Sequence, residues 1–331
     1  MKRKRILLIA ILVTIVSNTI TASSRDDLMQ AINTGDFPLA VRLLNNTTWQ
    51  YEENDEDILD WNKYTQFFSY CVSNNIGKDT MDIVSNYVVQ LSIQIGNLHK
   101  TDGNLDKAEQ WFYSAVDLSE SLSMPKYAIQ KSISYNQLGN FYQEKTTKYD
   151  LAVYCYELAD SIWRANNTSA NDLYWVIIQN KADACELAAQ SYRNNEDWQS
   201  ARYYYAYEAF ELRRLNGDMD AQYALALNRE AIMASNLKDY TAADSLLTIS
   251  RRILETPNVD KDSSYTYVWG NLMQNYFNLQ NYKQITEECN KIENNKSSNK
   301  PYVEEQTLMY WKVIALCNIA LQKELEGQYD K

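Results

Sequence analysis

The stretch Leu138-Gly139-x-x-Tyr142, followed by Ala152-x-x-x-Tyr156-x-x-Ala159, constrains this chain more than any other. Two antiparallel helices come close only where small residues face each other, and a bulky residue one turn on fills the remaining gap. A second copy lies upstream, in Ile95-Gly96 with Ala108-x-x-x-Phe112-x-x-Ala115. A pattern recurring every forty-odd residues is the mark of a helical repeat array, in which each pair of helices buries its apolar face against the next pair.

Aligning on the alanine that opens each second helix extends the series. It runs Ala40, Ala108, Ala152, Ala201, Ala243 and Ile285, with spacings of 68, 44, 49, 42 and 42 residues. Four residues later stand Leu44, Phe112, Tyr156, Tyr205, Leu247 and Cys289. Twelve residues before the anchor, or thirteen in the third unit, stands the helix-crossing residue: Gly96, Gly139, Ala189 and Ala231. Only 8 glycines and 4 prolines occur, and β-type alternation is nearly absent. Pro38, Pro125 and Pro301 are expected at helix starts. The paired asparagines at 45–46, 74–75, 166–167, 194–195 and 294–295 are expected to end helices in the left-handed conformation.

Tyr135-x-x-Leu138-Gly139-x-x-Tyr142 resembles the first-helix signature of the tetratricopeptide repeat, with Tyr in place of Trp, and Trp269-x-x-Leu272 is similar to the start of the sixth unit. The resemblance covers roughly residues 25 to 293 and implies an all-α fold, a right-handed α-solenoid of TPR-like helix hairpins. Its structural repeat positions are Gly96, Ala108, Phe112, Gly139, Tyr142, Ala152, Ala201 and Ala243. The units expected are 25–46, 80–121, 125–165, 171–216, 219–255 and 263–293, each helix about a turn longer than in the standard 34-residue repeat. An extra helix is expected at 58–74 and a capping helix at 302–324. Long-helix units rich in Asn and Tyr also resemble the extracytoplasmic sensor regions of Bacteroidetes regulators.

The first 22 residues read as an address: Lys2 to Arg5 form a cationic n-region, Ile6 to Val16 an 11-residue apolar stretch, and Ile20-Thr21-Ala22 a small-residue cleavage site. A membrane span needs about 20 apolar residues, so a signal peptide is expected, with an uncleaved N-terminal anchor as the alternative. Cleavage leaves 309 residues with 28 cations against 43 anions, net −15. Such a body repels nucleic acid and anionic membrane. The five cysteines are widely spaced, without C-x-x-C, and are expected to be buried small hydrophobes.

No catalytic constellation is visible. The one histidine, His99, falls at the Tyr142 position of its repeat; it builds neither a triad nor a multi-histidine metal site. Asp102-x-Asn104-x-Asp106 opens like a calcium loop, but Lys107 and Tyr113 stand where Gly and an acidic residue are needed. The acidic run Glu52 to Asp57 reads as a solvated helix-leading turn. The expectation is a non-enzyme with no cofactor, no metal and no nucleic-acid partner.

In arrays of this family the first helices line a concave groove. Counting from the crossing residue points inward Asn97, Lys100, Asn136, Asn140, Gln143, Glu186, Gln190, Arg193, Asn228, Asn236, Gln274 and Asn278. Most are amides, which both donate and accept, so a row of them can pair with the backbone of an extended peptide. Asp183, Glu186 and Gln137 stand where a carboxylate clamp wants Lys, Arg or Asn, which argues against one. The function expected is a periplasmic or secreted protein-interaction module that binds a peptide or protein segment. The alternative is the ligand-sensing half of a signalling system, working through a separate membrane-bound kinase or transcriptional regulator.

Overall fold

The computed structural model describes residues 22–46, 61–166, 170–256, 259, 264–294 and 303–325. The expected signal peptide up to residue 21, the acidic run at 52–57 and Pro301 lie outside them. All regular structure among the described residues is helical. The chain divides into two compact units, Met1–Ile177 and Ile178–Lys331. The protein is a TPR-like helical repeat, built from antiparallel helix hairpins.

The first unit holds α1 (Ala22–Thr34), α2 (Phe37–Asn46), α3 (Trp61–Ser73), α4 (Lys78–Thr101), α5 (Leu105–Glu120), α6 (Ala128–Lys145) and α7 (Tyr149–Ala165). It closes with the start of α8 (Asp172–Asn194). The second unit continues α8 and adds α9 (Trp198–Asn216), α10 (Ala221–Asn236), α11 (Tyr240–Glu255), α12 (Ser264–Asn278), α13 (Tyr282–Asn294) and α14 (Glu305–Leu325). No helix among the described residues is long and apolar enough to cross a membrane.

The glycine locks are physical. A Cβ placed on Gly139 would lie 2.7 Å from Tyr156 Cε1, and one on Gly96 would lie 3.0 Å from Phe112 Cε1. The anchors Ala108, Ala152, Ala201 and Ala243 and the bulky Phe112, Tyr156 and Tyr205 are completely buried. The Tyr156 ring cannot retreat, because its hydroxyl lies 2.8 Å from Asn140 Oδ1 and 2.7 Å from Gln143 Oε1. A phenol has one proton to donate, so one of these amides presents its NH2 instead. A buried serine ties the far end of two hairpins: Ser132 Oγ donates to the Ala159 carbonyl at 3.1 Å, and Ser250 Oγ to the Ala224 carbonyl at 2.6 Å. Both bonds join the residue seven before the crossing position to the residue seven after the alanine anchor.

The turns are Schellman motifs. The amide N–H groups of Asp36, Asn104, Asp197, Asp239 and Asn281 each donate five residues back, to Ala31, His99, Tyr192, Ala234 and Tyr276, at 2.8–3.0 Å. The residue just before each has positive φ: Gly35, Gly103, Glu196, Lys238 and Gln280. The same Asp or Asn then starts the next helix. Side chains of Asp36, Asp197, Asp239 and Asn281 accept the N–H of Leu39, Ser200, Ala242 and Gln284. The left-handed residue at these turns is therefore not asparagine, contrary to the sequence expectation; of the paired asparagines among the described residues only Asn75 takes it, at φ 48. Pro125 stands three residues ahead of α6, not in its first turn.

Four cysteines are buried, and Cys317 is exposed. The last helix, α14, packs through one side only. It buries Leu308, Trp311 and Ala315 but leaves Met309, Tyr310, Val313, Leu316, Leu321 and Leu325 about half exposed or more.

Two stability outcomes are expected. Gly139→Ala forces a methyl into a tethered ring, so an overpacking cost of about 1–3 kcal/mol exceeds the ~1 kcal/mol gain in helix propensity. Chemical denaturation will show Gly139→Ala costing more than Gly96→Ala, and Tyr156→Phe, which frees the ring, recovering part of the loss. Glu196→Gly, Lys238→Gly and Gln280→Gly each relieve a left-handed non-glycine residue; the melting midpoint is expected to rise by an amount equivalent to roughly 0.5 kcal/mol apiece.

Candidate binding surface on the first helices

In the first unit the amides predicted to face a ligand divide into two sets. Asn97 on α4 is half-buried, and Lys100 is drawn to α6, with Nζ 3.2 Å from Glu144 Oε2. Asn140 and Gln143 are spent on holding Tyr156. Asn136 is 3% exposed, so it packs inside the hairpin stack and is not offered to a ligand. The pair Tyr142 and Tyr113 is linked at 2.7 Å, with Tyr142 Oη also 3.0 Å from Glu109 Oε1. Burial and these bonds push the Tyr142 phenol well above its ordinary range.

Counting from the crossing glycine alone overlooks Asn86, Gln90 and Gln94. They lie one turn apart on a single face of α4, and the side-chain oxygen of each is buried with no hydrogen-bond partner in the protein. Gln90 Nε2 donates to Gln130 Oε1 of α6 at 3.1 Å. The signal was available: amides at i, i+4 and i+8 stand on one stripe of a helix.

In the second unit the predicted residues form a charged cluster. On α8, Gln190 Nε2 donates to Glu186 Oε1 at 2.9 Å, and Glu186 stands 4.0 Å from Arg229 of α10. Arg229 forms a two-pronged ion pair with buried Glu208 of α9 and lies over the Tyr205 ring at 5.8 Å. Burial outweighs Arg229's attraction and pushes the Glu208 carboxyl up to about 7. The Tyr205 hydroxyl, the counterpart of Tyr156's, is buried without a hydrogen-bond partner. Arg193, in the last turn of α8, is exposed.

A second buried pair lies nearby, Lys181 Nζ to Glu211 Oε1 at 2.8 Å, with Lys181 over the Tyr207 ring at 4.8 Å. Asn228 is buried and accepts from Asn271 Nδ2 at 2.9 Å, so like Asn136 it belongs to the packing between helices. Asn236 is exposed at the end of α10, and Gln274 Nε2 donates along α12 to Asn278 Oδ1 at 3.1 Å. His99 is half-buried with Nδ1 unpartnered, and its carbonyl closes the Schellman turn.

No family model matches the chain, and no curated protein does either. Among solved structures it is similar to BtubC (BKLC) from P. vanneervenii: 16% identity, 84% of this chain and 93% of that one, TM-score 0.39. It is similar to the apo form of RapI at 13% identity, over 90% and 81%, TM-score 0.41. A putative kinesin light chain of Podospora anserina with nearly identical TPR-like repeats matches at 14% identity, over 70% and 92%, TM-score 0.30.

The raised Glu208 carboxyl has a pH consequence. Its folded value lies above the unfolded one, so its contribution to stability is complete below about pH 4.5 and is lost as pH rises through about 7. Glu208→Gln is therefore expected to flatten the fall in denaturation midpoint between pH 5 and 8, an effect on the order of 1 kcal/mol. Identical slopes in the two proteins would show that Glu208 ionises as easily folded as unfolded.

Proposed function

We propose that this chain is a protein-interaction module that holds a peptide or protein segment in extended form along its first helices, and that it works after export, in the periplasm or outside the cell. The observation that carries the binding reading is the α4 row of Asn86, Gln90 and Gln94. Their oxygens are buried and make no hydrogen bond inside the protein, so rotating a carboxamide outward to a ligand N–H forfeits no bond to its oxygen and costs Gln90 only its donation to Gln130. Residues four apart on a helix rise about 6 Å. Alternate residues of a polyproline-II or extended chain repeat every ~6.2–6.8 Å. A segment lying along α4 can thus bring an N–H to each amide in turn. Asn97 continues the same surface at the crossing glycine. Export is supported by the cationic n-region, short apolar stretch and Ile20-Thr21-Ala22 site.

The test is an arrayed random-sequence 15-residue peptide library probed with the full chain. For a peptide that binds, Gln90→Ala with Gln94→Ala is expected to weaken affinity about tenfold, with unchanged helicity, since each lost hydrogen bond is worth roughly 0.5–1.5 kcal/mol. N-methylation of alternate peptide residues should reproduce that loss, while methylation of the intervening residues should not. Binding that depends on peptide side chains alone, indifferent to N-methylation at every position, would refute backbone recognition.

A further inference from the structure

We propose that the exposed face of α14 pairs with the α14 of a second copy of this chain, antiparallel and two-fold symmetric about Cys317. The helix lies on the second unit through one side only: Leu308, Trp311 and Ala315 are buried, with Trp311 against Phe277 at 6.5 Å between ring centroids. The opposite side carries Tyr310, Val313, Cys317 and Ala320, all exposed, at spacings of 3, 4 and 3 residues, with exposed Leu321 beside them. That is the seam by which helices associate side by side. Charge is excluded from it. Lys312 points off the seam to Glu293 at 2.6 Å, and the first carboxylate or ammonium group on the seam is Glu324, at its end.

The seam is complementary to itself. In an isologous antiparallel pair, residues whose numbers sum to a constant meet across the axis. Centred on Cys317, Val313 meets the partner's Leu321 on both sides of the axis. Tyr310, whose hydroxyl is a donor, meets the partner's Glu324, a carboxylate acceptor. The exposed apolar side chains Met309, Tyr310, Val313, Leu316, Leu321 and Leu325 present about 600 Å² on one copy, or about 1,200 Å² in a pair, at the lower edge of specific interfaces. Each copy carries a net −11, so the pair should tighten as salt screens their repulsion.

Cys317 makes the geometry readable, because the other four cysteines are buried. The full chain should change from monomer to dimer over roughly 1–100 μM in sedimentation velocity, and a short bismaleimide should cross-link it through Cys317, a product absent in Cys317→Ser. Val313→Glu, at an exposed position, should hold the chain monomeric at 100 μM with the same helicity, and Leu321→Glu should do likewise. A chain that stays monomeric at 100 μM overturns the proposal. So does a dimer that survives both substitutions. A monomer whose Cys317 is slow to react with maleimide overturns it as well, and assigns the face to another segment.

Discussion

The contact that the rest of this structure depends on is a helix backbone pressed against the face of a tyrosine ring. Tyr156 Cε1 occupies the space that a Cβ on Gly139 would need, and the ring is held there by two amides from the helix that it packs on. The crossing point fixes how closely α6 and α7 approach. That spacing sets where Ser132 can reach the Ala159 carbonyl and where Phe141 can meet Phe112, 5.6 Å away between ring centroids. Two hairpins later the same register recurs with Ala231 at the crossing and Ser250 bonding to the Ala224 carbonyl. The lock is therefore a repeated geometric rule, met with glycine where the partner is aromatic in the first unit and with alanine in the second.

The alanine anchors, the crossing glycines and the bulky fillers were all readable in the sequence, because each is a size requirement and size is written directly in residue type. The turns were less readable. Asparagine tolerates positive φ, which suggested it would occupy the left-handed position. At Asn104 and Asn281 it is spent one residue later, at ordinary negative φ in the case of Asn104 (φ −81), and an Asp does the same at Asp197 and Asp239. That residue closes one helix with its N–H, and in all but Asn104 it opens the next with its side chain. The left-handed conformation then falls on whatever precedes it, even Glu196, Lys238 or Gln280. Among the described residues only Asn75, which Ile76 and not a capping residue follows, is an asparagine that takes it.

The same limit applies to the binding surface. Helical counting puts Asn140 and Gln143 at a suitable azimuth, yet cannot reveal that a ring from the neighbouring helix consumes both. Nor can it foresee Lys181 with Glu211, or Glu208 with Arg229, since each pair is assembled from two helices that are distant in sequence. Buried ion pairs contribute little net stability, but removing one partner leaves a charge stranded. They therefore penalise any slip of α8, α9 and α10 past one another. The lock leaves other amides unspent, among them Asn86 and Gln94 on α4, whose oxygens are buried without a partner, and exposed Asn236 at the end of α10.

The last helix shows how pattern can contradict position. A helix that packs on one neighbour and otherwise meets water needs one apolar stripe and a polar face. α14 has an apolar stripe on both sides, the signature of a helix that is covered all round. Its inner stripe is satisfied by Trp269's neighbourhood and Phe277 in the second unit. Its outer stripe keeps aliphatic, aromatic and thiol groups at 3-4-3 spacing while the lysines of the helix stand off it. Random drift on a solvated face would not sort charge so cleanly along five turns. That sorting is what the proposed pairing of two α14 helices uses.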